Sequence, residues 1–401
     1  MNRALTPEQI EAILESTDIG ELSMSDIAER FRRENGMAAA APDGLWACDP
    51  RTGTLVVFNP ARARRPHDWS AAPEKAESAK PCPICEGKTT GILDVHPLSE
   101  GVTFINKNLF PCFYPHTGGT AAPQTVVPGK GAPANIATSN TASGLHFLQW
   151  TSSVHRRDWH NLPPEDAAIV LRRLAALEHK LLTESEGLMP ETTEYNPGCR
   201  TFGFVSIIKN YGAPVGGSLA HGHQQIVHSN LMPAALHNDR EFLLRTGQSF
   251  AAHLQGETPA SLVVRDLGAA RLLVPYYMKR PYQSVAVPSD TRKRFLFELT
   301  DAELSSLAAL WCDAVRAMVE ILPRLGKDAA YNVLIHNGPS GGLYIEFLPY
   351  SQETGGYERL GLYVCHETPE VAAETLRRFF QIQAPKSAPA HGVPTPQVSS
   401  K

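Results

Sequence analysis

Residues 209–230 read KNYGAPVGGSLAHGHQQIVHSN. His221, His223 and Gln225 stand at every second position, which predicts that the three side chains share one face of a β-strand. Just upstream, Gly216-Gly217-Ser218 predicts a flexible turn whose backbone N–H groups can face a phosphate. Imidazoles and a glutamine fanned out over a glycine turn suit one chemistry: a ring nitrogen attacks phosphorus while neutral donors hold the phosphoryl oxygens. Alternating histidines also occur on solvated strand faces. The glutamine, the turn and Asn210-Tyr211-Gly212 in the same window favour the chemical reading.

Composition narrows the alternatives. The chain has 401 residues, 42% hydrophobic and 19% charged, enough for two ordinary domains or one fused pair. A net charge of −4 leaves no basic footprint, which argues against nucleic acid as a partner. No apolar run reaches membrane-spanning length, and MNRALTPEQIEAILES does not read as a signal peptide, so no membrane role and a cytoplasmic location are expected. Seven cysteines, an odd number, argue against a disulfide framework and for metal binding or isolated thiols.

Upstream of the central stretch, residues 6–35 predict two short helices. Thr6-Pro7-Glu8-Gln9 opens the first with a capping box, Ser23-Met24-Ser25-Asp26 opens the second, and Asn35-Gly36 ends it. Residues 1–40 carry no catalytic candidate and read as a helical extension or an oligomer contact. Residues 54–58 predict a strand, followed by Arg62, Arg64 and Arg65. Cys82-Pro83-Ile84-Cys85 is a C-x-x-C in a proline-rich loop, a spacing at which both thiolates can grip one zinc ion. No thioredoxin-like helix follows it. Residues 103–113 predict a strand running into a turn that holds Asn108, and 114–144, rich in Gly, Pro, Ala, Thr and Asn, predict a long loop. Residues 163–186 have helical periodicity, and 201–210 and 224–228 predict strands.

The second half repeats the first. YNVLIHNGPSGGLYIEFLP (331–349) set against VSIIKNYGAPVGGSLAHGHQQI shows strand, Asn-Gly turn, Gly-Gly and a second strand, with Tyr344 and Glu346 where His221 and His223 stand. Helices over 301–322 and 369–380 fit the same plan, and the tail from Ala384 reads as disordered. The expected architecture is therefore α+β: a duplicated unit of antiparallel sheet and packed helix, 41–235 carrying the live site and 236–383 a degenerate copy.

The order N-x-G-x-x-x-G-x-S-x-x-H-x-H-x-Q resembles the active-site stretch of the galactose-1-phosphate uridylyltransferases, the transferase branch of the histidine-triad superfamily. The hydrolase branch carries a third histidine where this chain has Gln225. The resemblance extends over roughly residues 45–380. It implies a homodimer that moves a nucleoside monophosphate from a nucleotide diphospho-sugar to a sugar 1-phosphate, with His223 as nucleophile and Gln225 and Ser218 on the phosphoryl oxygens. It places Arg62 and Arg65 on the diphosphate. Asn108, Asn210, Gly216, Gly217 and Glu358 are implied as further substrate contacts.

The same resemblance implies zinc held by Cys82, Cys85, His221 and one more histidine. Spacing favours His155 over its rival His160. Tyr344 and Glu346 in place of a second H-x-H argue against the second metal that some members bind. Val364 replaces a sugar-binding glutamine of the family, which leaves the acceptor open. A phosphorylase of ADP-glucose or of a dinucleoside polyphosphate, with phosphate as acceptor, is one alternative. A nucleotide-binding protein without turnover is another.

Overall fold

The computed structural model describes residues 18–32, 45–49, 52–59, 82, 84–87, 89, 91–115, 123–128, 142–195, 198–338 and 340–383. The first predicted helix, the Asn35-Gly36 stop, Arg62, Arg65, most of the 114–144 loop and the tail from Ala384 lie outside these residues.

A small hairpin pairs β1 (Trp46–Cys48) with β2 (Leu55–Val57). The remaining strands are β3 (Ile92–Pro97), β4 (Val102–Lys107), β5 (Gly144–Trp150), β6 (Phe204–Tyr211), β7 (His223–Ser229), β8 (Val263–Asp266), β9 (Ala270–Leu273), β10 (Ser284–Pro288), β11 (Tyr331–His336) and β12 (Tyr344–Pro349). They form one antiparallel sheet in the order β3-β4-β5-β7-β6-β11-β12-β10-β9-β8. Numbered within its own half, each set of five strands runs 1-2-3-5-4 from the outer edge inward. The duplication is therefore explicit in the topology, and the fold is the expected α+β. The two copies meet where β6 pairs with β11, with Tyr211 opposite Tyr331. Those two rings stack at 4.9 Å.

Seven helices occur among the described residues: α1 (Met24–Arg32), α2 (Pro164–Thr183), α3 (Ala234–Thr246), α4 (Phe250–Glu257), α5 (Asp301–Arg324), α6 (Gly356–Arg359) and α7 (Pro369–Gln383). On α2, Val170, Leu171, Leu174, Leu177 and Leu181 recur at helical spacing and are all buried. Each such side chain contributes roughly 1.5–3 kcal/mol of transfer free energy. The counterpart helix α5 begins with a complete capping box between Thr300 and Glu303 and buries Leu307, Leu310, Trp311 and Val315. The two helices belong to one hydrophobic core, and Trp311 stacks on Trp159 at 4.0 Å. Helix α1 packs on its own chain: Phe31 meets Phe147 of β5 edge-on at 5.2 Å, and Lys107 and Arg30 tie the helix to the β3–β4 hairpin.

One expectation is corrected here. Strand β7 starts at His223, so His221 does not share a strand face with His223 and Gln225. Glycine 222 breaks the alternation. Its carbonyl accepts from the Thr151 N–H at 3.0 Å, and a Cβ at this position would lie 2.5 Å from Cγ of Asp158. The chain can pass Asp158 there only as glycine, and the bend sends His221 toward other partners.

Candidate active site and metal centre

Cys82, Cys85, His155 and His221 converge, with one ligand atom of each lying within 4.8 Å of all the others. Cys82 Sγ is 3.7 Å from His221 Nδ1, Cys85 Sγ is 3.6 Å from the same nitrogen, and Cys85 Sγ is 3.4 Å from His155 Nδ1. A tetrahedral ion with metal–sulfur and metal–nitrogen bonds of the zinc type separates neighbouring S and N ligands by roughly 3.5 Å. The cluster thus has the edge lengths of such a site.

Its electrostatics agree. Nε2–H of His221 donates to the Ser152 carbonyl at 2.7 Å, which leaves the Nδ1 lone pair facing the sulfurs. Burial pushes the His221 imidazole down to about 4, so it is neutral and able to ligate. Burial, together with the neighbouring Cys82, pushes the Cys85 thiol up to about 12. A thiol raised in this way ionises readily only against a cation. The four residues can therefore hold one metal ion. His160, the rival ligand, lies outside the cluster, beside Tyr211, with a 6.3 Å edge-on contact between the rings.

Two residues on, His223 is 6% exposed and begins β7 opposite Trp150 of β5. Its Nδ1–H donates to the His221 carbonyl at 2.8 Å. That bond fixes the tautomer and leaves Nε2 with the lone pair, which is what a nucleophilic imidazole needs. Below it lies a buried ion pair. Lys209 Nζ is 2.8 Å from the Asp158 carboxylate and also donates to the His223 carbonyl at 3.3 Å. Burial alone would raise the Asp158 carboxyl; Lys209 outweighs it and holds the group below its ordinary value. The backbone on both sides of the nucleophile is thus held by groups that have no water to relax into.

Gln225 follows His223 on the same face of β7, and its Oε1 is 3.2 Å from Nε2 of His146 on β5. His146, 1% exposed, was not among the sequence candidates. It stands in an apolar strand, GLHFLQW, whose seven residues are all buried, so nothing in the local pattern singles it out. Asn108 lies against the same histidine, with its amide nitrogen 3.1 Å from Nε2, and its Oδ1 takes the Phe110 N–H at 2.9 Å.

The glycine turn is formed, but its N–H groups turn inward rather than toward a ligand: Gly216 donates to the Ala213 carbonyl at 3.1 Å and Gly217 to the Gly212 carbonyl at 2.9 Å. Gly216 sits at φ 84°, and a Cβ on Gly217 would meet the Gly212 backbone at 2.8 Å. Ser218 is buried at the end of this turn. Asn210 Oδ1 accepts from Asn332 across the β6–β11 seam at 2.7 Å. Glu358 belongs to the short helix α6 after β12, three strands from β7, where both its oxygens accept from backbone N–H groups of Gly355 and Val364. In the second copy, Tyr344 donates to Asp239, while Glu346 contacts His336 and accepts from Gln283.

No protein-family model matches the chain. Among solved structures it is similar to a uridylyltransferase, with TM-score 0.60 and 20% identity over 85% of this chain and all of that one. It is also similar to an ADP-glucose phosphorylase from Arabidopsis thaliana crystallised with ADP-glucose, with TM-score 0.57 and 19% identity over 83% of this chain and 98% of that one. The fold is accordingly the duplicated histidine-triad fold of the uridylyltransferases. In sequence, the Arabidopsis thaliana ADP-glucose phosphorylase is 20% identical over 346 residues, 82% of this chain and 91% of the relative. No helix among the described residues is long and apolar enough to cross a membrane.

Proposed function

We propose that the protein is a nucleotidyltransferase that works by double displacement on a nucleotide diphospho-sugar. The observation that carries this reading is the His223 Nδ1–H bond to the His221 carbonyl, which leaves a lone pair on Nε2 at the end of a built site. Nε2 attacks the α-phosphorus. The nitrogen–phosphorus bond forms, the bond to the bridging oxygen breaks, and sugar 1-phosphate leaves with the electron pair. Gln225 donates an amide N–H to a non-bridging oxygen, and the Ser218 hydroxyl faces the same charge. Arg62 and Arg65 neutralise the diphosphate. A second phosphate-bearing group then attacks the nucleotidyl-His223, and its oxygen replaces the ring nitrogen on phosphorus.

Cys82, Cys85, His155 and His221 would hold a zinc ion, whose part is to lock the 82–85 loop to the residue that orients His223. A sugar 1-phosphate is the acceptor expected from the uridylyltransferase resemblance. Inorganic phosphate is the second reading. Val364 stands where the family's sugar-binding glutamine would be, and the curated relative is an ADP-glucose phosphorylase. Both readings share the intermediate. Incubation with radiolabelled UDP- and ADP-sugars should leave acid-labile label on His223. Adding sugar 1-phosphates or phosphate should discharge it, and the acceptor that does so fastest is the substrate. No label with any nucleotide sugar would remove the proposal.

A further inference from the structure

We infer that Asn332, a residue of the second copy, is a positioning residue that turns the amide donor of Asn210 toward the nucleotide. The inference deepens the nucleotidyl-transfer reading and rests on it. Ile208 of β6 pairs with Gln225 of β7, and Asn210 of β6 pairs with Asn332 of β11. Carrying the β6–β7 register two residues further sets Asn210 beside His223, on the face that Gln225 shares. Asn332, Asn210 and His223 thus form one row across three strands, and the row crosses the seam between the copies.

An asparagine amide has a donating and an accepting end of nearly equal size, so its neighbours choose between them. Here the choice begins at a backbone carbonyl. One end of the Asn332 amide lies 3.1 Å from the Val215 carbonyl oxygen, which can only accept, so that end is the NH₂. The same nitrogen is 2.7 Å from the Asn210 side chain. An amide nitrogen has two hydrogens and no free lone pair, so it meets both partners only by donating to both. The Asn210 atom at the seam is therefore its oxygen, and its NH₂ end points the other way. That end lies beside the glycine turn: a Cβ built on Gly216 would be 3.9 Å from Asn210 Nδ2. Among the described residues nothing accepts from that nitrogen, so its hydrogens are available to a phosphoryl oxygen at His223. Without a donor at position 332 the Asn210 amide is free to turn over and set its carbonyl against the same negative charge. The Val215 carbonyl thus fixes Asn332, and Asn332 fixes the polarity of a residue in the first copy.

The test is a double-mutant cycle on the rate of nucleotidyl-His223 formation, read by rapid quench with saturating labelled nucleotide sugar. Asn210→Ala should slow labelling by about 100-fold. Asn332→Leu leaves Asn210 free to take either orientation and should slow labelling by about 10-fold, with the half-saturating substrate concentration changed by less than about 2-fold. In an Asn210→Ala background, Asn332→Leu should cost no more than about 2-fold further. Penalties that multiply would overturn the inference, because Asn332 would then act without Asn210. Should Asn332→Leu fail to fold, neutron diffraction from deuterium-exchanged crystals of the unaltered protein decides instead. Deuterium on Asn332 aimed at the Val215 carbonyl, with that on Asn210 aimed away from Asn332, supports the inference, and the reverse orientation of either amide overturns it. Absence of any label on the unaltered protein would remove the transfer reading alone, and the deuterium positions would still decide the two amides.

Discussion

Nδ1 of His223 lies 2.8 Å from the carbonyl oxygen of His221, so the proposed nucleophile is oriented by the backbone of a candidate metal ligand. The His221 ring faces Cys82 and Cys85, while its main chain faces His223. Displacing one therefore disturbs the other.

The nucleophile assignment predicts a two-part result. His223→Ala should abolish covalent labelling and lower turnover by several orders of magnitude, with a melting temperature close to that of the unaltered protein. Initial rates of the unaltered protein against nucleotide sugar and acceptor should give parallel double-reciprocal lines. Label retained in the variant, or intersecting lines, would count against double displacement.

The cysteine–histidine cluster predicts about one tightly held metal per chain. Cys82→Ser should lower the metal content and the melting temperature together. Elemental analysis alongside a thermal melt checks both. Undiminished metal in a Cys82/Cys85 double variant would show that the ion sits elsewhere.

The Lys209–Asp158 pair predicts an asymmetric mutational response. Both side chains are almost wholly buried, so Lys209→Met leaves an uncompensated carboxylate and should cost about 3–5 kcal/mol. Adding Asp158→Asn to Lys209→Met should restore much of that loss, since Asn still accepts from Thr151 and the Trp159 N–H. Urea midpoints of the two single variants and the double variant measure it. A double variant weaker than Lys209→Met alone would contradict the argument.

Glu178, fully buried on α2, predicts a pH effect on stability. Burial pushes its carboxyl up to about 7 even though Asn337 and the Phe297 N–H both donate to it. A raised carboxyl pKa means the folded state holds a proton that the unfolded chain has lost. The fold is therefore penalised progressively as pH rises from about 4.5 to about 7, reaching on the order of 3 kcal/mol above that. Glu178→Gln should remove the dependence, gaining stability relative to the unaltered protein at pH 8 and much less at pH 5. A difference in urea midpoint that is the same at both pH values would refute the assignment.

Much of this was legible in the sequence because it rests on local pattern. The apolar spacing of 163–186 gives α2, the C-x-x-C gives half of the cysteine–histidine cluster, and the repeat of 209–230 in 331–349 gives the second copy. His155 was reachable by spacing from the following helix. What stayed hidden depends on contacts distant in sequence. Strand β5 is buried on both faces, so it shows no alternation, and His146 looks like one polar residue in a core strand. The displacement of His221 from the strand comes from Asp158 pressing on Gly222, a contact 64 residues apart that periodicity cannot register.

The seam between β6 and β11 gives the degenerate half a purpose of its own. A five-stranded sheet ending at β6 would expose a row of unpaired backbone groups beside the active strand, an open invitation to other chains. The second copy closes that edge with a partner that dilution cannot remove, because it is tethered to the first. It can therefore exchange H-x-H for Tyr344 and Glu346 and still be retained, as a permanently supplied neighbour rather than as a second catalyst.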